Sequence, residues 1–143
     1  MNIYLWGRRN IYGGGIHFAN FSDALKKVFL IKDMVIEIDI RGQDLEFIAS
    51  NSKDNDVHIF FFPLDVNLKL KGKVIKWGIF ESNLLTDEYI DYLTKCHLVW
   101  VPSEWAKKVL INHGLKKNKV DVVPEGVDPT IFHPFNFNFF EQD

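Results

Sequence analysis

The chain has 143 residues, 47% of them hydrophobic and 25% charged, a balance that suits one globular domain and excludes disordered, collagen-like and coiled-coil classes. A formal charge of -2 leaves no basic footprint for general nucleic-acid binding, so no nucleic-acid partner is expected. Cys96 is the one cysteine, which excludes an intramolecular disulfide and a cysteine-based zinc cage, and no metal is expected.

In chain order, Ile3 to Trp6 reads as a first strand, followed by the glycine run Gly13-Gly14-Gly15 as a loop. Phe18, Phe21, Leu25, Val28 and Phe29 then recur at helical spacing, although Ser22-Asp23 offers a second start that would split the segment. Met34 to Ile40 and Val57 to Phe62 are the second and third strands. Leu64, Val66, Leu68 and Leu70 alternate with polar residues, which predicts an extended loop or edge strand where a crossover helix would be usual. Val74 to Phe80 is the fourth strand. A helix is expected from Thr86, with Asp87 and Glu88 at its positive end and Lys95 in its last turn.

After a fifth strand, Leu98 to Val101, comes the best-specified helix. Ser103 caps it, Trp105, Ala106, Val109 and Leu110 form its apolar stripe, and Gly114 takes the left-handed position beyond its end, with Leu115 returning to Leu110. Val120 to Val123 is a sixth strand. Nearly continuous apolar runs imply strands covered on both faces, so the expected class is α/β, a Rossmann-like parallel sheet of about six strands with helices on both faces. The domain is expected to span residues 1–123, and 124–143 to form a linker or tail, where Pro124, Pro129, Pro134 and five phenylalanines between Phe132 and Phe140 replace regular patterning. Those phenylalanines would either fold back on the domain or pack on another subunit, a route to oligomers.

Met1 to Trp6 lacks the basic start and long apolar stretch of a signal peptide, and apolar runs such as Ile59 to Pro63 are far shorter than the ~20 residues of a membrane span. The expected location is the cytoplasm, with any membrane association peripheral.

Three places carry candidate chemistry. Gly13 to Gly15 would let backbone N–H groups approach an anion or acceptor at a helix start, or would simply make a tight turn. Phe18 stands where the dinucleotide fingerprint needs its third glycine, and no phosphate-binding G-x-x-x-x-G-K-[ST] run occurs. Glu81, with Ser82 and Asn83, lies beyond the fourth strand, where open α/β sheets bind ligands; a carboxylate there would orient a sugar hydroxyl or be an ordinary loop acid. His17 would bind a hydroxyl or hydrogen-bond locally.

The stretch from His97 to Leu110 (HLVWVPSEWAKKVL), then Gly114, Val120 to Asp128 (VDVVPEGVD) and Phe132-His133-Pro134, closely resembles the end of the N-terminal domain of family four glycosyltransferases. Trp77 to Leu85 (WGIFESNLL) looks like the segment that precedes it in many members, and Gly13 to Gly15 looks like their first-strand glycine loop. The likeness covers Trp77 to Pro134 well and the first half loosely. It implies the GT-B fold, two Rossmann-like domains across a cleft, with the acceptor mainly on the N-terminal one and the donor on the other. It also implies a retaining reaction with a nucleotide sugar as co-substrate, no other cofactor and usually no metal.

On that resemblance the chain is the acceptor-binding half, inactive alone. Glu81 is the candidate catalytic residue, and Gly13, Gly14, Gly15, His17, Ser82 and Ser103 line the acceptor and donor cleft. The acceptor would be a sugar, lipid or protein, and the basic residues and paired glutamates that grip the donor would belong to a C-terminal domain or partner subunit. The alternative is a non-catalytic Rossmann-like module for a nucleotide or protein, in which Asp39 would stand for the ribose-binding acid of dinucleotide folds.

Overall fold

Leu5 and Trp6 have no solvent exposure, and strands flank both sides of the run that holds them. In the computed structural model, residues 1–28, 34–41, 44–62 and 68–126 are described. They contain six strands: β1 (Ile3–Gly7), β2 (Val35–Asp39), β3 (Val57–Phe60), β4 (Lys73–Trp77), β5 (Leu98–Val101) and β6 (Val120–Val122). The strands form one sheet in the order β2-β1-β3-β4-β5-β6, with every pairing parallel. The fold is α/β and Rossmann-like. Its strand order reverses between β1 and β3, which sets the topological switch point there.

Among the described residues four α-helices cover the sheet: α1 (Gly13–Val28), α2 (Leu45–Ser50), α3 (Asp87–Lys95) and α4 (Glu104–Asn112). Strand side chains alternate between faces, so Ile3 and Leu5 pack with Phe18, Phe21 and Leu25 of α1, whereas Tyr4 and Trp6 pack with Leu45 and Ile48 of α2. Val99 and Val101 meet Leu93 of α3 and Ala106 and Leu110 of α4. Val74 touches this group and the α2 group alike, so α2, α3 and α4 share the face opposite α1.

The expected elements are present with shifted ends. α1 begins at Gly13, so the glycine run forms its first turn instead of a loop, and the helix runs through Ser22-Asp23 without a second start. Those two side chains face partners across the fold: Ser22 Oγ donates to Glu37 Oε1 (2.6 Å), and Asp23 pairs with Arg9 (2.6 Å). Leu68 and Leu70 belong to no strand; they pack as loop residues on the α2 side. Leu64, Val66, Phe29 and the phenylalanines of the tail lie outside the described residues.

Three features were not expected. Asp44 caps the short helix α2 by accepting from the Phe47 amide (2.9 Å). Lys76 sits inside β4 with 2% exposure; its Nζ donates to the carbonyls of Phe60 (3.3 Å), Phe61 (3.0 Å) and Trp77 (2.8 Å), and burial pushes its pKa down to about 7. His58, also fully buried, accepts from Trp6 Nε1 through Nδ1 (3.1 Å), which leaves Nε2–H to donate to the Lys71 carbonyl (2.9 Å).

α4 ends as its sequence predicts. Gly114 has φ +95°, its amide donates to Ile111 O (2.9 Å), and the Leu115 amide donates to Leu110 O (3.1 Å), the paired bonds of a Schellman cap. Gly72 has a similar φ of +92°, but a Cβ there would collide with the Asp56 carbonyl, whereas at Gly114 it would meet open space. Gly114→Ala is therefore expected to cost about 1–2 kcal/mol from the left-handed backbone alone, and Gly72→Ala more than that because the Asp56 turn must also move. Chemical denaturation midpoints of the two variants check the ranking.

Candidate functional site

Because all six strands are parallel, every segment that leaves a strand's C-terminal end emerges on one edge of the sheet. This edge carries residues 8–12 between β1 and α1, 78–86 between β4 and α3, Pro102 and Ser103 between β5 and α4, and 123–126 after β6. The glycine run and Glu81 therefore share an edge, as the strand order requires.

The first turn of α1 is built from within. Asn10 Oδ1 accepts from the Tyr12 amide (2.9 Å), and the Tyr12 carbonyl accepts from the amides of Gly15 and Ile16 (both 2.9 Å). A Cβ on Gly15 would strike the Asn10 side chain, and one on Gly14 would press to 3.1 Å from the Phe62 ring. A Cβ on Gly13 would meet nothing within 4 Å. Packing thus requires a glycine at Gly15 and crowds Gly14, and only Gly13 leaves open space at the helix start.

Glu81 is exposed, and no hydrogen bond or ion pair joins it to another described residue. Ser82 Oγ accepts from the Leu84 amide (3.0 Å) and so shapes the loop. Ser103 Oγ accepts from the Ala106 amide (3.2 Å), so this cleft candidate is engaged as the α4 cap. Around them Ile11, Tyr12, Ile79, Leu84 and Trp105 are exposed, which makes the edge apolar as well as polar.

His17 lies deeper. Its side chain is 14% exposed; Nδ1 lies 3.1 Å from Glu125 Oε1, and its ring stands edge-on to Trp77 with centroids 4.5 Å apart at 74°. Burial lowers its pKa against the opposing pull of Glu125. His17 Nε2 and Trp77 Nε1 are both buried without a hydrogen-bond partner among the described residues. Trp77 and Glu125 were not expected as site residues: Trp77 ends β4 under α1, Glu125 lies on the segment after β6, and only tertiary packing brings both to His17.

At the β2 end of this edge the acids are engaged. Glu37 accepts from Arg9 (Nε 2.8 Å, Nη2 2.7 Å), Lys26 (2.5 Å) and Ser22 (2.6 Å), and these partners, Arg9 foremost, hold its carboxyl well below the usual range despite partial burial. Asp39 Oδ1 accepts from the Arg41 amide (3.0 Å).

No family model matches the chain, and no curated protein matches it. Among the described residues no helix is long and apolar enough to cross a membrane, and no group of three or more His, Cys, Asp or Glu residues is placed to hold a metal ion.

The glycines make separable predictions. Gly13→Ala should leave stability unchanged or raise it by up to about 1 kcal/mol, since helix propensity improves and nothing is displaced. Gly15→Ala should lower stability because Asn10 must give up its contact with the Tyr12 amide. Thermal unfolding of the two variants tests both signs.

Proposed function

We propose that the chain is the acceptor-binding half of a retaining glycosyltransferase that uses a nucleotide sugar as co-substrate. The observation that carries this reading is the shared edge. An open glycine at a helix start, a half-buried histidine and an unengaged carboxylate lie along the C-terminal side of a Rossmann-like sheet, in a chain whose second half resembles family four glycosyltransferases. Glu81 has both oxygens available, which suits it to accept hydrogen bonds from sugar hydroxyls. The acceptor is a sugar, lipid or protein that presents a hydroxyl group.

The charge balance of the edge supports dividing the labour between two bodies. Stabilising a leaving diphosphate takes convergent donors where the negative charge develops. On the β1–α1 segment Arg9 is held between Asp23 and Glu37, which leaves the exposed Arg8 as a single cation where a diphosphate needs several donors. The donor-binding groups are accordingly assigned to a second domain, in the same polypeptide or a partner subunit. A dinucleotide-binding module is less well supported: Phe18 stands where the fingerprint needs its third glycine, and the tight contact at Gly15 is with Asn10.

Residues 1–143 alone are expected to transfer no sugar and to bind nucleotide sugars no more tightly than about 1 mM, equivalent to ~4 kcal/mol, because one wall of a cleft cannot orient the diphosphate. Supplying the cognate second domain should restore transfer of radiolabelled sugar, and Glu81→Gln should then lower turnover with the fold intact. Robust transfer by the 143-residue chain alone would overturn the division, tight NAD binding would favour the dinucleotide module, and unchanged turnover in Glu81→Gln would remove that residue from the site.

A further inference from the structure

Lys76 is 2% exposed, yet among the described residues no carboxylate bonds it. Its Nζ donates instead to three carbonyls where two strands end: Phe60 (3.3 Å) and Phe61 (3.0 Å) at the exit of β3, and Trp77 (2.8 Å) at the exit of β4. An ammonium group has three protons and no lone pair, so this set of acceptors uses it completely. A neutral amine has two protons and a lone pair that repels a carbonyl oxygen, so at most two of the three bonds survive deprotonation. The bond to Phe60 is the longest and the first to be lost.

Burial brings the Lys76 pKa down to about 7, so both forms are populated at neutral pH. The ionisable group that acts on it is the Cys96 thiol just beyond α3, with Tyr89, Tyr92 and Lys119 around that thiol. Burial pushes Cys96, Tyr89 and Tyr92 up, so all three stay neutral in this range. Lys119 Nζ donates to the carbonyls of Thr94 (2.6 Å) and Cys96 (2.9 Å). His58 lies on the same face of the sheet, opposite Val74, and burial lowers its pKa, which keeps it neutral as well. From α2 and α4 come Leu45, Ile48, Ala106 and Leu110, none of them charged. Among the described residues on this face, Lys76 is therefore the group whose charge changes around neutrality.

The segment that these bonds hold is the one that seats α1. The Phe61 ring packs on His17, Phe18 and Phe21, with centroids 5.4, 5.2 and 5.4 Å apart, and the Phe62 ring stands against Gly14. We propose that Lys76 is a proton-operated positioning residue for the functional edge: its ammonium clamps the exits of β3 and β4 together and so fixes the first turns of α1, and loss of its proton loosens them. Lys76 itself touches no ligand. The clamp is a property of the fold, and only its bearing on an acceptor rests on the acceptor-binding reading.

The test is a pH titration of the 143-residue chain followed by nuclear magnetic resonance on the Lys76 side chain and the backbone. The Lys76 Cε signal is expected to move with a midpoint near pH 7, against about 10.4 for a solvated lysine. The carbonyl carbons of Phe60, Phe61 and Trp77 and the amides of Gly14 and His17 should move with that same midpoint. Lys76→Met keeps an unbranched chain in the core with no proton to lose, and the carbonyl and amide curves should then be flat near pH 7. A step at lower pH that persists in this variant belongs to His17, whose pKa burial lowers. The clamp is overturned by a Lys76 midpoint at the solvated value, by edge signals that ignore the Lys76 midpoint, or by the same midpoint in Lys76→Met. The first two outcomes are read on the wild-type protein and need no variant. A common midpoint without sugar transfer by the assembled enzyme would sink the transferase reading and leave the clamp standing; transfer without a common midpoint would do the reverse.

Discussion

Phe18 lies directly over Gly7, and a Cβ at residue 7 would run into the phenyl ring. That close approach of α1 to β1 sets the position of the whole helix. Phe18 is then buried edge-on against Phe61 of the strand's neighbour, with centroids 5.2 Å apart. One and two turns on, Ser22 and Lys26 reach Glu37 of β2, while Phe21 reaches across to Trp77 and Trp100. His17 is carried to the end of β4 by the same seating, and the glycine turn is pressed against Asn10 and Phe62. The α1 face and the functional edge thus share one constraint, and a side chain larger than glycine at residue 7 would disturb both.

The parallel sheet and its helices were legible in the sequence wherever a cap or a periodic stripe coincided with a local hydrogen bond. Ser103, Thr86 and Gly114 each act within a few residues of their own position, and each does what its residue type suggests. The strands at β1, β2, β3, β4, β5 and β6 follow their apolar runs to within a few residues. Where the sequence left two readings open, distant partners decided between them. Ser22-Asp23 has the form of a helix start, yet its side chains are drawn to Glu37 and Arg9, and the backbone continues as helix. The alternation around Leu68 and Leu70 has strand form, but the sheet position beside β3 is filled by β4 and the two leucines pack on the face instead.

The candidate site was readable as a location more than as a set of contacts. Parallel topology alone puts Gly13 to Gly15, Glu81, Ser82 and Ser103 on one edge. Packing then sorts them: Gly15, Ser82 and Ser103 have structural partners, while Gly13 and Glu81 face open space or solvent. Trp77 and Glu125 join through tertiary contact with His17, and that contact has no local signature because 48 residues separate Trp77 from Glu125 along the chain. Lys76 is the opposite case, a charged residue type in a strand interior whose Nζ is satisfied by three carbonyls where β3 and β4 end. It keeps those carbonyls paired just beneath the edge, so the loops above it spring from a closed polar base.

The central claim is that ligands meet this protein at the C-terminal edge of its sheet. Elsewhere among the described residues a groove of about 290 Å³ lies beside α2, lined by Glu46, Ala49, Ser50, Leu68 and Lys69, none of which the proposed chemistry uses. Mapping the backbone amide shifts of the 143-residue chain as a nucleotide sugar is added distinguishes the two places directly. The account predicts perturbations that cluster at Gly13 to His17, Gly78 to Ser82 and Ser103 to Trp105. Perturbations confined to the α2 groove, with the edge unchanged, would contradict it.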